Sequence, residues 1–259
     1  MKEKVTIVKV GGAVVEDEAR LARLLAGFSR LPGRKILVHG GGRSATAMAA
    51  KLGIETRMVN GRRITDEAML QVVTMVYGGL VNKRVVARLQ AEGINALGLT
   101  GADMNVMRSH RRPVKDGIDY GHVGDVEEAD AQALHTLIEA GITPVMAPLT
   151  HDGKGNLLNT NADTIAAETA KALAQRYDVT LIYGFEKPGV MANPDDPQTL
   201  IPLITPDGFR QLVDNGTISG GMIPKVENAL EAVSCGVCQV VITSVETIDG
   251  QHGTMVRAR

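Results

Sequence analysis

Short β-branched runs alternate with stretches of helical period along the whole chain. Val5 to Val10 reads as a first strand, ended by Gly11-Gly12. A helix is predicted from Asp17 to Arg30, with Leu21, Leu24, Leu25 and Phe28 as its apolar stripe. Ile36 to His39 is a second strand running into Gly40-Gly41-Gly42 and a helix from Ser44 to Leu52. A long helical stretch spans Asp66 to Glu92, with Thr65 as its cap, and Ala96 to Gly101 reads as a third strand and turn. Residues 105–126 have no helical period and carry the hairpin signal Asp116-Gly117, so they are predicted to form a small antiparallel insertion walling a cleft. A helix from Asp130 to Ala140 and a strand from Ile142 to Ala147 follow.

Leu158-Asn159-Thr160-Asn161-Ala162-Asp163 reads as a strand end turning into a helix that runs to Arg176. Asn161 suits its N-cap and Asp163 its first turn, where a carboxylate complements the helix dipole. Val179 to Tyr183 is a fifth strand, followed by a loop to Asp196. Thr205-Pro206-Asp207 opens a helix, Ser219-Gly220-Gly221-Met222 is a loop leading into Lys225 and a helix from Val226 to Ser234, and Gln239 to Thr243 is the last strand before a short tail. The alternation predicts an α/β fold: a mainly parallel central sheet with helices on both faces.

Composition narrows the function classes. The 259 residues carry 28 basic and 29 acidic side chains, a balance without the basic excess of a nucleic-acid or membrane-surface binder. Trp is absent and aromatics are 3%, which disfavours base-stacking platforms. Met1-Lys2-Glu3-Lys4 leads straight into a strand, no signal peptide is read, and no apolar run approaches membrane-spanning length, so a cytoplasmic protein is expected. Cys235 and Cys238 form a lone C-x-x-C between a helix and a strand, the reverse of the redox-motif order, and are read as reduced structural thiols.

The chemistry-bearing residues share one theme. Gly11-Gly12 and Gly40-Gly41-Gly42 are strand-to-helix loops that expose backbone N–H groups to an oxyanion, without the Walker or dinucleotide spacing. Lys9 sits inside an apolar strand, and Lys225 stands beside another glycine-rich turn. Asp163 is placed to hold these cations, and Arg63 to grip a carboxylate. Phosphoryl transfer needs such a set, because the protein positions donor and acceptor and neutralises spreading charge. A carboxylate acceptor is already ionised at neutral pH and requires no general base.

Five motifs carry a resemblance: Lys9-Val10-Gly11-Gly12, His39-Gly40-Gly41-Gly42, Asn60-Gly61-Arg62-Arg63-Ile64-Thr65, Asn159-Thr160-Asn161-Ala162-Asp163 and Gly221-Met222-Ile223-Pro224-Lys225. In order and spacing they resemble the motif set of the N-acetylglutamate kinases, of the amino acid kinase fold. That resemblance implies an αβα sandwich with a β-hairpin lid. It implies one domain over 1–259, with a lobe at 1–176 for acyl-glutamate binding and dimerisation and a lobe at 177–259 for nucleotide. The implied activity is ATP-dependent phosphorylation of the side-chain carboxylate of an N-acyl-L-glutamate, an early step of arginine synthesis. Lys9 and Lys225 would stabilise the transferring group, Asp163 would organise both, and Gly12 and Gly42 would bind its oxygens. Gly41, Gly42, Arg63 and Asn159 would hold the amino-acid substrate. Gly11, Gly12, Gly184, Phe185, Gly189, Thr217, Ile218 and Ser219 would bind the nucleotide, with Mg²⁺ bridging its phosphates.

Three features depart from the family pattern. Gly184-Phe185-Glu186-Lys187-Pro188-Gly189 replaces an Asp-Val-x-Gly type loop. Arg43 follows the triple glycine where the family has Pro, and Arg62 replaces an apolar residue. A cationic pair near the amino-acid site would suit an extra carboxylate, as in an N-succinyl group. Finally, the chain begins at its first strand, without the N-terminal helix of arginine-inhibited hexamers, so an arginine-insensitive homodimer is expected. A kinase of a carrier-linked aminoadipate and a non-catalytic nucleotide or amino-acid sensor are the alternatives; both lysines and Asp163 are present, which weighs against the sensor.

Overall fold

The first strand is the centre of the molecule. The structure is a computed structural model and describes residues 2–59, 61–193, 195–220 and 222–258. The readings placed on Asn60 and Gly221 lie outside the described residues.

In chain order the first half runs β1 (Lys4–Val10), α1 (Gly12–Glu16), α2 (Glu18–Arg30), β2 (Arg34–His39), α3 (Gly42–Lys51), β3 (Met58–Val59), β4 (Arg62–Arg63) and α4 (Glu67–Val73). A π-helical segment, Thr74–Val81, continues into α5 (Asn82–Ala91) and β5 (Ala96–Leu99). The lid strands β6 (Met107–Arg111) and β7 (Gly124–Ala129) precede α6 (Ala131–Glu139), β8 (Thr143–Met146), β9 (Leu149–His151) and β10 (Leu157–Asn159). The rest is α7 (Ala162–Ala174), β11 (Asp178–Phe185), β12 (Leu203–Ile204), α8 (Pro206–Asp214), α9 (Met222–Ser234), β13 (Gln239–Ser244) and β14 (Thr254–Val256).

Eight strands form the main sheet in the order β12-β14-β13-β11-β1-β2-β8-β5. All its pairings are parallel except β13 with β14. The period-two alternation of β1 decides which helices cover which face. Val5 and Ile7 join the core under α6, α7 and α9, while Val8 and Val10 join the core under α1 to α5. Lys9 shares the parity of Val5 and Ile7, so it is delivered to the α7 side. The sheet is continuous across residue 176, since β1 pairs with β2 on one side and β11 on the other. A second sheet, β10-β9-β6-β7, contains the expected insertion. Its hairpin tip has Asp116 at φ 53° and Gly117 at φ 73°, the left-handed pair of a tight hairpin turn.

Several boundaries differ from the sequence reading. The stretch Asp66 to Glu92 is helical throughout, as read, but is built of α4, a π-helical segment and α5. Asp66, rather than Thr65, caps it by accepting from the Met69 N–H at 2.9 Å. Thr65 is fully buried and its hydroxyl donates to the Arg63 carbonyl. Lys225 lies inside the first turn of α9, which begins at Met222. The closing tail is strand β14, which pairs with β13 and buries Val256. As expected, Asn161 caps α7 by accepting from the Asp163 N–H. Cys235 and Cys238 are free, as read, but both are exposed rather than structural.

Candidate active site

Strands β1, β2, β11 and β13 run parallel and end on the same side of the sheet, the usual edge for α/β sites. The two glycine loops meet there, backbone to backbone. Gly40 N–H donates to the Val10 carbonyl at 2.9 Å. A Cβ on Gly40 would stand 2.9 Å from the Gly12 nitrogen, and one on Gly41 would stand 2.8 Å from the Tyr77 ring. Only glycine permits this approach. It leaves the N-terminus of α3, at Gly42, and the start of α1, at Gly12, facing one small region with unpaired first-turn N–H groups.

Two clefts share this glycine wall. One, of about 230 Å³, is lined by Lys9, Arg62, Arg63, Tyr77, Arg112, Asn159 and Asp163. The other, of about 490 Å³, is lined by Arg43, Gly184, Phe185, Glu186, Gly189 and Lys225. Gly11, Gly12 and Gly42 belong to both.

At the junction the Lys9 ammonium, on a residue only 7% exposed, lies 2.7 Å from Asp163 Oδ1. It is an ion pair whose geometry falls outside hydrogen-bond alignment. Lys225 approaches from α9 and sets its Nζ 4.3 Å from the centre of the Phe185 ring, while Lys9 Nζ is 5.6 Å from the same ring. The expectation that Asp163 would hold both lysines is met in geometry only for Lys9; among the described residues Lys225 is within ion-pair distance of no carboxylate. Burial, then the negative charge of Asp163, push the Tyr183 hydroxyl far above its ordinary pKa, so it stays protonated beside the pair.

In the smaller cleft Arg63 is a strut as well as a wall. One terminal nitrogen donates to the Gly42 carbonyl at 2.8 Å and the Thr46 hydroxyl at 2.9 Å, and the other donates to the Thr56 hydroxyl at 3.3 Å. Asn159 donates to the Thr65 hydroxyl at 2.9 Å, tying β10 to the Arg63 turn. Arg43 and Arg62, expected as a pair, are separated: Arg43 lines the larger cleft and Arg62 the smaller. The second arginine beside Arg62 is Arg112, from the end of the lid strand, held by Asp125 at 2.5 Å and by the Tyr120 ring. The sequence reading missed Arg112, Tyr77 and Pro148 in this lining. The hairpin signal was the one indication that residues near Arg112 reach the cleft.

Beneath the glycine loop, fully buried His39 bridges Gly40 and Asn82. Asn82 Nδ2 lies 3.1 Å from His39 Nε2 and donates to the Val145 carbonyl at 2.9 Å. The ring therefore carries its proton on Nδ1, donated to the Gly40 carbonyl at 2.8 Å. Burial lowers its pKa to about 4, which keeps it neutral.

Of the expected nucleotide residues, Gly11, Gly12, Gly184, Phe185 and Gly189 line the larger cleft. Thr217, Ile218 and Ser219 are not in that lining; Ile218 turns inward, its N–H donating to Leu212 and its side chain 2% exposed in the core.

The sequence profile of the amino acid kinase family matches residues 4–244. The chain belongs to the amino acid kinase family. An acetylglutamate kinase of Phocaeicola vulgatus is 64% identical over 257 residues, covering 99% of this chain and 100% of that one. An acetylglutamate kinase of Methanopyrus kandleri is 43% identical, covering 97% and 99%. Among solved structures, the amino acid kinase fold recurs in the N-acetylglutamate synthase of Neisseria gonorrhoeae, with a TM-score of 0.83 at 23% identity over 100% of this chain and 60% of that one. It recurs again in the carbamate kinase of Giardia lamblia, with a TM-score of 0.67 at 16% identity over 100% and 99%. At those identities the likeness concerns the fold alone.

Proposed function

We propose that this amino acid kinase transfers the terminal phosphoryl group of ATP to the side-chain carboxylate of N-acetyl-L-glutamate, as the names of its relatives at 64% and 62% identity indicate, in arginine biosynthesis. The observation that carries the reading is the shared glycine wall. Two clefts meet at Gly11, Gly12 and Gly42, with Lys9 and Asp163 at the junction. The smaller takes the acyl-glutamate against Arg63 and Asn159. The larger takes the nucleotide against Gly184 and Gly189.

The chemistry follows from charge. The acceptor carboxylate attacks without deprotonation, and negative charge spreads over the transferring oxygens. First-turn N–H groups at Gly12 and Gly42, with the Lys9 and Lys225 ammoniums, meet that charge in a prearranged geometry. Asp163 fixes Lys9. Mg²⁺ fits as a companion of the nucleotide: it favours substrate phosphates and waters over an all-protein cage, and the junction offers the single carboxylate of Asp163. It would supply charge neutralisation across the phosphates.

On this reading 1–176 forms the acyl-glutamate and dimerisation lobe, 177–259 the nucleotide lobe, and the enzyme works in the cytoplasm. Support for a homodimer comes from exposed apolar side chains on the π-helical segment and the edge strand, Met75, Leu80 and Leu97. No helix among the described residues is long and apolar enough to cross a membrane.

A second reading, N-succinyl-L-glutamate as acceptor, is favoured by Arg62. Its guanidinium makes no hydrogen bond or close ion pair among the described residues, acting only at longer range on Asp125, and it lines both the smaller cleft and a neighbouring one under the lid, as Arg112 does. ADP release with Mg-ATP and N-acetyl-glutamate, N-succinyl-glutamate, glutamate and carbamate separates the cases. Highest kcat/KM on N-acetyl-glutamate supports the first reading; highest on N-succinyl-glutamate, lost in Arg62→Ala, replaces it with the second. No turnover of either acyl-glutamate overturns both and favours a sensor.

A further inference from the structure

Phe185 closes β11 at the rim of the larger cleft, and its surroundings show what an aromatic ring does there. It ends β11 on the same strand parity as Tyr183, whose ring backs it at 6.2 Å and 27°. Lys9, paired in register with Tyr183, emerges beside them. The Lys225 ammonium lies 4.3 Å from the Phe185 centroid.

Lys225 is an ammonium in an unfavourable place. It sits in the first turn of α9, where the helix dipole repels cations, and it faces a second cation, Lys9. The nearby carboxylate, Asp163, is engaged by Lys9. Among the described residues the Lys225 ammonium rests on the ring face of Phe185, and an aromatic face attracts a cation without neutralising it. A carboxylate in that position would compete with phosphoryl oxygens for the lysine; a ring yields when they arrive.

We infer that Phe185 is a positioning residue that holds the Lys225 ammonium at the junction of the two clefts while leaving its charge available to the transferring phosphoryl group. The inference rests on the phosphotransfer reading above for what Lys225 does, but not for where it is held.

The test compares wild type, Phe185→Leu, Phe185→Tyr, Lys225→Ala and the Phe185→Leu/Lys225→Ala double variant. Phe185→Leu keeps the apolar bulk and removes the ring. It is expected to lower kcat about tenfold, equivalent to about 1.4 kcal/mol, with the KM for ATP changed less than about twofold. Phe185→Tyr restores at least about half of the wild-type rate. In the Lys225→Ala background, Phe185→Leu changes kcat less than about twofold, because the ring acts through that lysine. A raised KM for ATP at unchanged kcat makes the ring a nucleotide wall and overturns the inference, as does an equal loss with and without Lys225. Acetic anhydride labelling of Lys225, read by mass spectrometry, needs no turnover: it is expected to rise in Phe185→Leu and not in Phe185→Tyr. Unchanged labelling overturns the inference even where the acceptor proves to be another compound, while absent turnover with changed labelling overturns only the phosphotransfer reading.

Discussion

Lys9 and Asp163 meet at 2.7 Å although one leaves a buried strand and the other opens the helix that packs over it. The lysine is brought out of water by the core beneath α7 and is balanced there by a carboxylate whose own helix N-terminus favours negative charge. The pair stands at the glycine wall between the two clefts.

Replacing Asp163 by Asn leaves that ammonium without its counter-ion and free to move. The expected outcome is a fall in kcat of about 10²-fold, the scale of losing one preorganised electrostatic group, with a smaller change in either KM. Steady-state ADP release checks it. A kcat within a few-fold of wild type would show that the pair serves stability alone.

Arg63→Lys keeps the charge and loses the fork. The terminal nitrogens that brace the Gly42 carbonyl, Thr46 and Thr56 cannot all be replaced by one ammonium. Binding of N-acetyl-glutamate, measured by calorimetry, is expected to weaken about tenfold or more, since bonds to charged groups contribute about 1.5–3 kcal/mol each. Nucleotide binding should change less.

Gly98 on β5 has a stringent neighbour. A Cβ there would lie 1.8 Å from the Asn82 side-chain oxygen, a buried atom with no hydrogen-bond partner. Gly98→Ala is expected to destabilise the fold by about 1–3 kcal/mol, the range of overpacked sites. Adding Asn82→Ala should recover part of that loss in denaturant melts; simple additivity of the two losses would place the clash elsewhere.

Acid should loosen the glycine loop through His39. Its folded pKa of about 4 lies below the ordinary 6.5, so the unfolded chain takes up the proton first as pH falls. The stability of the neutral ring is complete above about pH 6.5 and is lost progressively toward pH 4, about 3 kcal/mol in all. Denaturant midpoints at pH 7.5 and 5 should differ in the wild type and differ less in His39→Gln. An equal pH dependence in both would assign the effect to other groups.

Much of this was legible in the chain. The apolar run around Lys9, the glycine loops and the Asn161-Asp163 cap are local signals, because strand period, glycine geometry and capping act over a few residues. They placed the strands, the hairpin lid and the Lys9–Asp163 chemistry at a strand-to-helix edge. The π-helical turn after Val73 was not legible, since the same apolar period serves either helix. Nor was the Asp66 cap distinguished from Thr65, its neighbour with similar capping chemistry.

What the sequence determined by itself was the set of chemical groups and the local turns that present them. What only the tertiary structure decided was their partners. It gave Asp163 to Lys9 and the Phe185 ring to Lys225, sent Arg43 and Arg62 to different clefts, and brought Arg112 in from the lid. The reason is that partnership across a sheet depends on strand order, register and the face each side chain takes. Those are fixed by burying the apolar sides of β1, β2 and β11 together, not by any spacing along the chain.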